Sequence, residues 1–311
     1  MRHPLAFSAV SLIALALACS ASKSKRTLSK DAGASGAAGT AGGAGSSGTA
    51  GQGGHGTGGT AGSAGSGGAL DAGADSGDAA TDSGAPKCPA GMADGPNNDF
   101  CIDSTEVPRK AYANWIATQP STTSQDTYCA FNTDFTPNST SGDCTTAQFL
   151  DDLAPQTCVD WCDAQAFCKG QGKRLCGQVG GPGGVVPGSS KVALLSQWYA
   201  ACTNGGTRKH PYGSFAAGKC NDASAGTGEP AKVPYASGAC PGGVAALYDM
   251  SGNVAEWIDS CTASKGASDQ CLIFGGSYLS SASEALSCDG SSSASRNTPS
   301  ASVGFRCCKD I

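Results

Sequence analysis

Apolar residues are spread very unevenly along this chain of 311 residues. Leu5 to Ala18 is an uncharged, mostly apolar run behind Arg2. It is too short for a mature transmembrane helix and has the form of a secretory h-region. From 20 to 87 large apolar residues almost vanish. Beyond 88 they return in patterns that predict elements. FCIDSTEV, Phe100 to Val107, reads as a short strand. PRKAYANWIAT follows, with Pro108 suited to a first helical turn and Tyr112, Trp115 and Ile116 on one face. WCDAQAFCKGQGK places Trp161, Ala164, Phe167 and Cys168 at helical spacing and stops at glycines. SQWYAAC, Ser196 to Cys202, predicts another short helix, and LIFGGSY a short strand. The pattern predicts an α+β domain with few regular elements, held by disulfides where glycine makes the backbone irregular.

Three segments follow. Residues 1–19 form a signal peptide whose end, Leu15-Ala16-Leu17-Ala18-Cys19, resembles a bacterial lipobox, so Cys19 is expected to carry lipid. Ordinary cleavage, with Cys19 incidental and the protein secreted, satisfies the same export pattern. Residues 20–87 are Gly, Ala, Ser and Thr with five Asp, which cannot offset the entropy of ordering. They read as a disordered tether with a root-mean-square span of about 45 Å. Residues 88–311 are the folded domain, long enough for one substantial core. It holds 20 acids and 14 bases with no basic patch, which argues against a nucleic-acid partner.

Without Cys19, sixteen cysteines remain, all between 88 and 308. In an exported chain an even number implies up to eight disulfides. A thiolate metal site is the competing reading, but Cys158-Cys162, Cys162-Cys168 and Cys307-Cys308 have no matching partner pairs. Loop length alone makes Cys88-Cys101, Cys129-Cys144, Cys220-Cys240 and Cys261-Cys271 plausible pairs, without fixing connectivity. His210 is the domain's one histidine and reads as a surface residue before proline, which disfavours imidazole-based catalysis and metal sites.

LYDMSGNVAEWIDSC, Leu247 to Cys261, carries Asp249 and Glu256 on either side of Gly252-Asn253. A turn there would gather carboxylates and carbonyls, which suits calcium. The alternative is a plain turn with Asp249 capping backbone amides.

FCIDSTEVPRKAYANW, VDWCDAQAFCKGQGKRL, SQWYAAC, LYDMSGNVAEW, FGGSY and RNTPSASVGFRC occur in an order that resembles the formylglycine-generating enzyme family, the sulfatase-modifying factors. The resemblance covers most of 99–308. It implies a C-type-lectin-like α+β fold with little regular secondary structure. It also implies the disulfides Cys168-Cys307 and Cys202-Cys288, and calcium held by Asp249 and Glu256 side chains with Gly252 and Val254 carbonyls. Enzymes of the family bind copper through two cysteines after the GGSY-type motif. The matching positions here are Ser280 and Ala285, and neither can serve a soft cuprous ion as a thiolate does, so no copper is expected. The expected function is therefore a non-catalytic binding or structural module, lipid-anchored at the bacterial outer membrane or cell surface. Its groove would be lined by Ser277, Tyr278, Ser280 and Arg306 and meet an unknown peptide, protein or glycan. An internal ion pair is the favoured alternative role for Arg306. The competing function is an oxidoreductase of the formylglycine-generating type, acting on cysteine in sulfatases or other exported proteins.

Overall fold

The computed structural model describes residues 87–140, 142–144 and 151–311. The expected signal segment, Cys19 and, apart from Lys87, the expected tether lie outside them. Eight strands are short: β1 (Met92–Asp94), β2 (Phe100–Asp103), β3 (Arg174–Leu175), β4 (Ala255–Cys261), β5 (Gln270–Phe274), β6 (Ser291–Ser295), β7 (Val303–Phe305) and β8 (Cys307–Asp310). Three α-helices join them: α1 (Arg109–Ile116), α2 (Trp161–Gly170) and α3 (Gln197–Thr203). This is a mixed α+β architecture with few helices. Among the described residues no helix is long and apolar enough to cross a membrane.

The strands form two sheets, ordered β1-β2-β8-β3 and β6-β5-β4-β7. The first is antiparallel and pairs Phe100 of β2 with Asp310 of β8, so the last strand inserts between β2 and β3. In the second, β4 runs parallel to β7 and antiparallel to β5.

The predicted strand at 100–107 ends early, at Asp103. There the Asp103 carboxylate accepts from the Cys307 amide at 3.0 Å, and Ser104 N–H turns back to Gly91 O at 2.9 Å. Pro108 is the N-cap of α1 rather than part of its first turn. Tyr112 and Trp115 are buried on one face of that helix, with Ile116 half-buried beside them. Asp160 caps α2, accepting from Asp163 N–H at 2.9 Å, while Asp163 accepts from Asp160 N–H at 3.0 Å. The last helical residue is Gly170, where a Cβ would lie 2.5 Å from Trp115 Nε1, and Gly172 just beyond takes a positive φ of 66°. Its buried face carries Trp161, Ala164, Phe167 and Cys168 into a core with Tyr112, Trp257 and Phe305. A second cluster joins Phe100, Ile102, Trp198, Leu247 and Phe274.

All sixteen cysteines between 88 and 308 are bonded: 88–101, 129–162, 144–158, 168–307, 176–308, 202–288, 220–240 and 261–271. The suggested Cys129-Cys144 pair is not formed. The first turn of α2 carries Cys162 onto the turn Thr127–Cys129, and Cys144 bonds Cys158 instead. Eight disulfides place the folding of this domain in an oxidising, extracytoplasmic compartment.

Candidate functional site

The GGSY stretch and the Gly-Asn turn are built against each other. Gly252 N–H donates to Gly275 O at 2.9 Å, and Tyr278 N–H to Asn253 O at 2.9 Å. Gly275 and Gly276 both take positive φ, 90° and 67°. A Cβ on Gly276 would lie 2.7 Å from Ala285 O and 3.1 Å from Ser280 Oγ, so the loop closes tightly on itself only with glycine. Ser277 N–H donates to Ser280 Oγ at 3.0 Å. Ser277, Ser280 and Ala285 line one small cavity of about 250 Å³, with Ala255 on its wall. At the two copper-matching positions the cavity therefore meets a hydroxyl and a methyl. Tyr278 is buried outside that lining, and Cys288 is held by Cys202.

Arg306 does not belong to a groove. It is fully buried, and its donors are used inside the protein. Nε donates to Glu256 Oε2 at 2.8 Å and Nη2 to Glu256 Oε1 at 2.7 Å. Nη1 reaches Asp103 O at 3.0 Å, and Nη2 also reaches Tyr248 O at 3.0 Å. Trp198 Nε1 donates to Glu256 Oε2 at 2.8 Å. Burial alone would lower the Arg306 pKa, but Glu256, Glu106 and Asp249 together hold it above its ordinary value.

Glu106, which lies within the segment FCIDSTEV but in no site pattern of its own, completes this cluster. Its Oε1 accepts from Asn253 Nδ2 at 3.1 Å, and its Oε2, 3.7 Å from Arg306 Nη2, has no hydrogen-bond partner. Asp249 Oδ2 accepts from Tyr235 N–H at 2.9 Å, as a turn cap would, and its Oδ1 is also buried without a partner. Burial and the neighbouring Asp249 push the Glu106 carboxyl well above the usual range, and burial pushes Asp249 up to about 6. Three carboxyls thus face one guanidinium, with two orphaned oxygens. That excess of acceptors fits a cation beside Asp249. Glu256 does not fit the ligand role expected from the sequence, because both its oxygens are engaged by Arg306, one of them by Trp198 as well. Among the described residues no three His, Cys, Asp or Glu side chains converge as a metal-binding group.

His210 is buried rather than on the surface. Its ring lies 5.8 Å from that of Tyr212 and 5.3 Å from that of Phe215, and Nε2 stands 3.0 Å from Ser283 O, where it anchors the 275–288 loop. A polar, turn-rich context gave no signal of that burial.

No curated protein matches the chain. Among solved structures it is similar to "Crystal Structure of CarF", at 23% identity over 68% of this chain and 86% of that one, with a TM-score of 0.45. "Structure of PvdO from Pseudomonas aeruginosa" matches at 17% identity over 68% and 80%, with a TM-score of 0.46. "Treponema denticola variable protein 1" matches at 17% identity over 68% and 84%, with a TM-score of 0.43. The model of the sulfatase-modifying factor enzyme 1-like domain, whose fold is C-type-lectin-like, matches residues 66–311. Over most of its length, then, this chain belongs to the sulfatase-modifying factor family of formylglycine-generating-enzyme-like domains.

Proposed function

We propose that this member of the family binds rather than oxidises. It is read as an exported, lipid-anchored binding or structural module of the bacterial cell envelope, carried on Cys19 and a tether over 20–87. The observation that carries this reading is the pair Ser280 and Ala285, facing one cavity where the enzymes place two copper-binding cysteines. The disulfides support it, since all sixteen cysteines of the domain are already bonded and leave no thiolate pair to take over. The exposed part of the loop, with Leu279, Ser281 and Ala282 beside the half-buried Ser280, is the surface offered to a peptide, protein or glycan ligand, while Ser277 is buried beneath it.

A structural calcium ion belongs to the same reading. Asp249 and the carbonyls of Gly252 and Val254 would hold it, with hard oxygens only. Glu106 Oε2 is a further buried oxygen without a partner. The role of the ion would be to balance buried negative charge and stiffen the turn that supports the GGSY loop.

The test is incubation of the full chain, disulfides intact, with copper, oxygen and a cysteine-bearing sulfatase peptide. The expected result is no retained copper and an unchanged cysteine by mass spectrometry. Formylglycine in the peptide would establish the oxidoreductase alternative instead. Palmitate-analogue labelling, expected on Cys19, tests the anchor separately.

A further inference from the structure

A second cavity lies away from the GGSY loop, between α2, the far end of β4 and the 182–186 loop. Its volume is about 490 Å³, enough for a small molecule. Arg296 and Asp259 both line it. Arg296 is only 1% exposed, and its guanidinium lies between two aromatic rings, 4.3 Å from the Tyr128 centroid and 4.7 Å from that of Trp161. Nη2 donates to Ala263 O at 2.8 Å and stands 3.4 Å from Asp269 Oδ2. Nε and Nη1 have no hydrogen-bond partner and are closed to solvent, so a ligand meets them only when the Arg296 side chain shifts toward the cavity. A buried charged donor left unpaired is costly, and an acceptor brought by a ligand would remove that cost.

The other charges nearby are already matched. Lys169 pairs with Asp126, and Arg174 with Asp310 at 2.7 Å. Asp259 is the exception: its carboxylate has no ion pair or side-chain hydrogen bond among the described residues, and only its backbone is tied, accepting from Val185 N–H and donating to Cys176 O, both at 2.8 Å. Asp160 and Asp269 also act on Arg296, so the guanidinium is not surrounded by surplus positive charge. A bare anion would meet the Asp259 carboxylate, and a bare amine would leave the Arg296 donors empty.

We propose that this cavity binds a small zwitterion of the amino-acid type, with its carboxylate toward Arg296 and its ammonium toward Asp259. Disulfides brace the walls. Cys129-Cys162 ties the Tyr128 turn to α2, and Cys261-Cys271 ties β4 to β5 at the rim. The 182–186 loop packs so closely that a Cβ on Gly184 would stand 2.7 Å from Asp259 Oδ1. Braced walls limit the ordering cost of binding. The inference goes beyond the envelope-module reading and does not depend on the fate of the copper site.

The experiment is titration calorimetry on the full chain, disulfides intact, with glycine, β-alanine and 4-aminobutyrate as zwitterions of increasing span, and acetate and methylammonium as half-ligands. One zwitterion is expected to bind saturably, at least about tenfold more tightly than either half-ligand. Asp259→Asn is expected to weaken it by about tenfold or more while the protein stays folded, and Arg296→Lys to weaken it further. Should Arg296→Lys fail to fold, Asp259→Asn alone decides. No saturable zwitterion binding, equal binding of acetate, or an unchanged affinity in Asp259→Asn would overturn the assignment. Formylglycine formation in the assay above would refute the module reading and leave this one standing.

Discussion

Arg306 grips Glu256 side-on, with two hydrogen bonds of 2.8 and 2.7 Å between side chains that are both essentially removed from solvent. The guanidinium closes this contact from β4 to the segment between β7 and β8, in the middle of the domain. Removing one partner strands the other charge in the interior. Glu256→Gln and Arg306→Met are each expected to cost about 3–5 kcal/mol of unfolding free energy, measured by urea denaturation without reductant. Losses below about 1 kcal/mol would mean that water reaches the pair.

The calcium proposal predicts a stability that depends on the free ion. Chelator is expected to lower the melting temperature of the parent protein, and added calcium to restore it. In Asp249→Ala both responses should disappear, while Glu256→Gln should keep a reduced response if Glu256 serves Arg306 rather than the ion. A parent melting temperature indifferent to chelator would remove calcium from the turn.

If the copper site was lost only at two side chains, it can be put back. Ser280→Cys with Ala285→Cys is expected to retain one cuprous ion against a competing chelator, where the parent retains none. Failure of the folded double variant to hold copper would show that the cavity differs in shape as well as in chemistry.

Asp160 is held by burial with a folded pKa of about 6, against an ordinary value of 3.8. The folded state therefore binds this proton more tightly than the unfolded one. The contribution to stability is complete below about pH 4 and is lost as pH rises through about 6. Asp160→Asn keeps a good N-cap and removes the charge. The variant is expected to gain stability over the parent at pH 7, and the gain should vanish by pH 4. A gain independent of pH would mean that Asp160 is not the titrating group.

The disulfides differ in the length of chain they close. Cys168-Cys307 spans 139 residues and Cys261-Cys271 spans 10. With Cys176-Cys308 intact, however, the first bond closes only the stretches 168–176 and 307–308, so replacing either pair by serine is expected to cost about the same, about 3 kcal/mol, if loop closure in the unfolded chain governs the effect. A difference of several kcal/mol between the two in denaturant unfolding would mean that packing around the bonds in the folded state outweighs loop closure.

Much of the fold was legible because local signals agreed with the final packing. The spacing of Tyr112 and Trp115, and of Trp161, Ala164, Phe167 and Cys168, gave the buried faces of α1 and α2 directly. Cys129 found a different partner from the one loop length suggested, because its bond depends on where α2 docks and not on the chain between. Glu106 lies beyond the end of β2 and acquires its meaning only when Asn253 and Arg306 arrive from elsewhere. Arg296 lay inside a segment that carried the family resemblance, and nothing local reveals that Tyr128 and Trp161 will enclose it. The identities at 280 and 285 were legible outright, since the absence of a thiol is a property of composition.

The adjacency of β2 and β8, with the bonds around it, has a mechanical side. A pull applied between Cys88 and Cys308 does not load the whole chain. The shortest covalent route crosses from Cys88 to Cys101, follows the backbone to Cys129, crosses to Cys162, follows it to Cys168, and crosses to Cys307 beside Cys308. Only the stretches 101–129 and 162–168 can extend. The length released by rupture is then about 120 Å, against about 750 Å for the reduced chain. Under shear at a surface, such a domain would yield by a short, fixed stroke while α3, Arg306 and the GGSY loop stay outside the line of force.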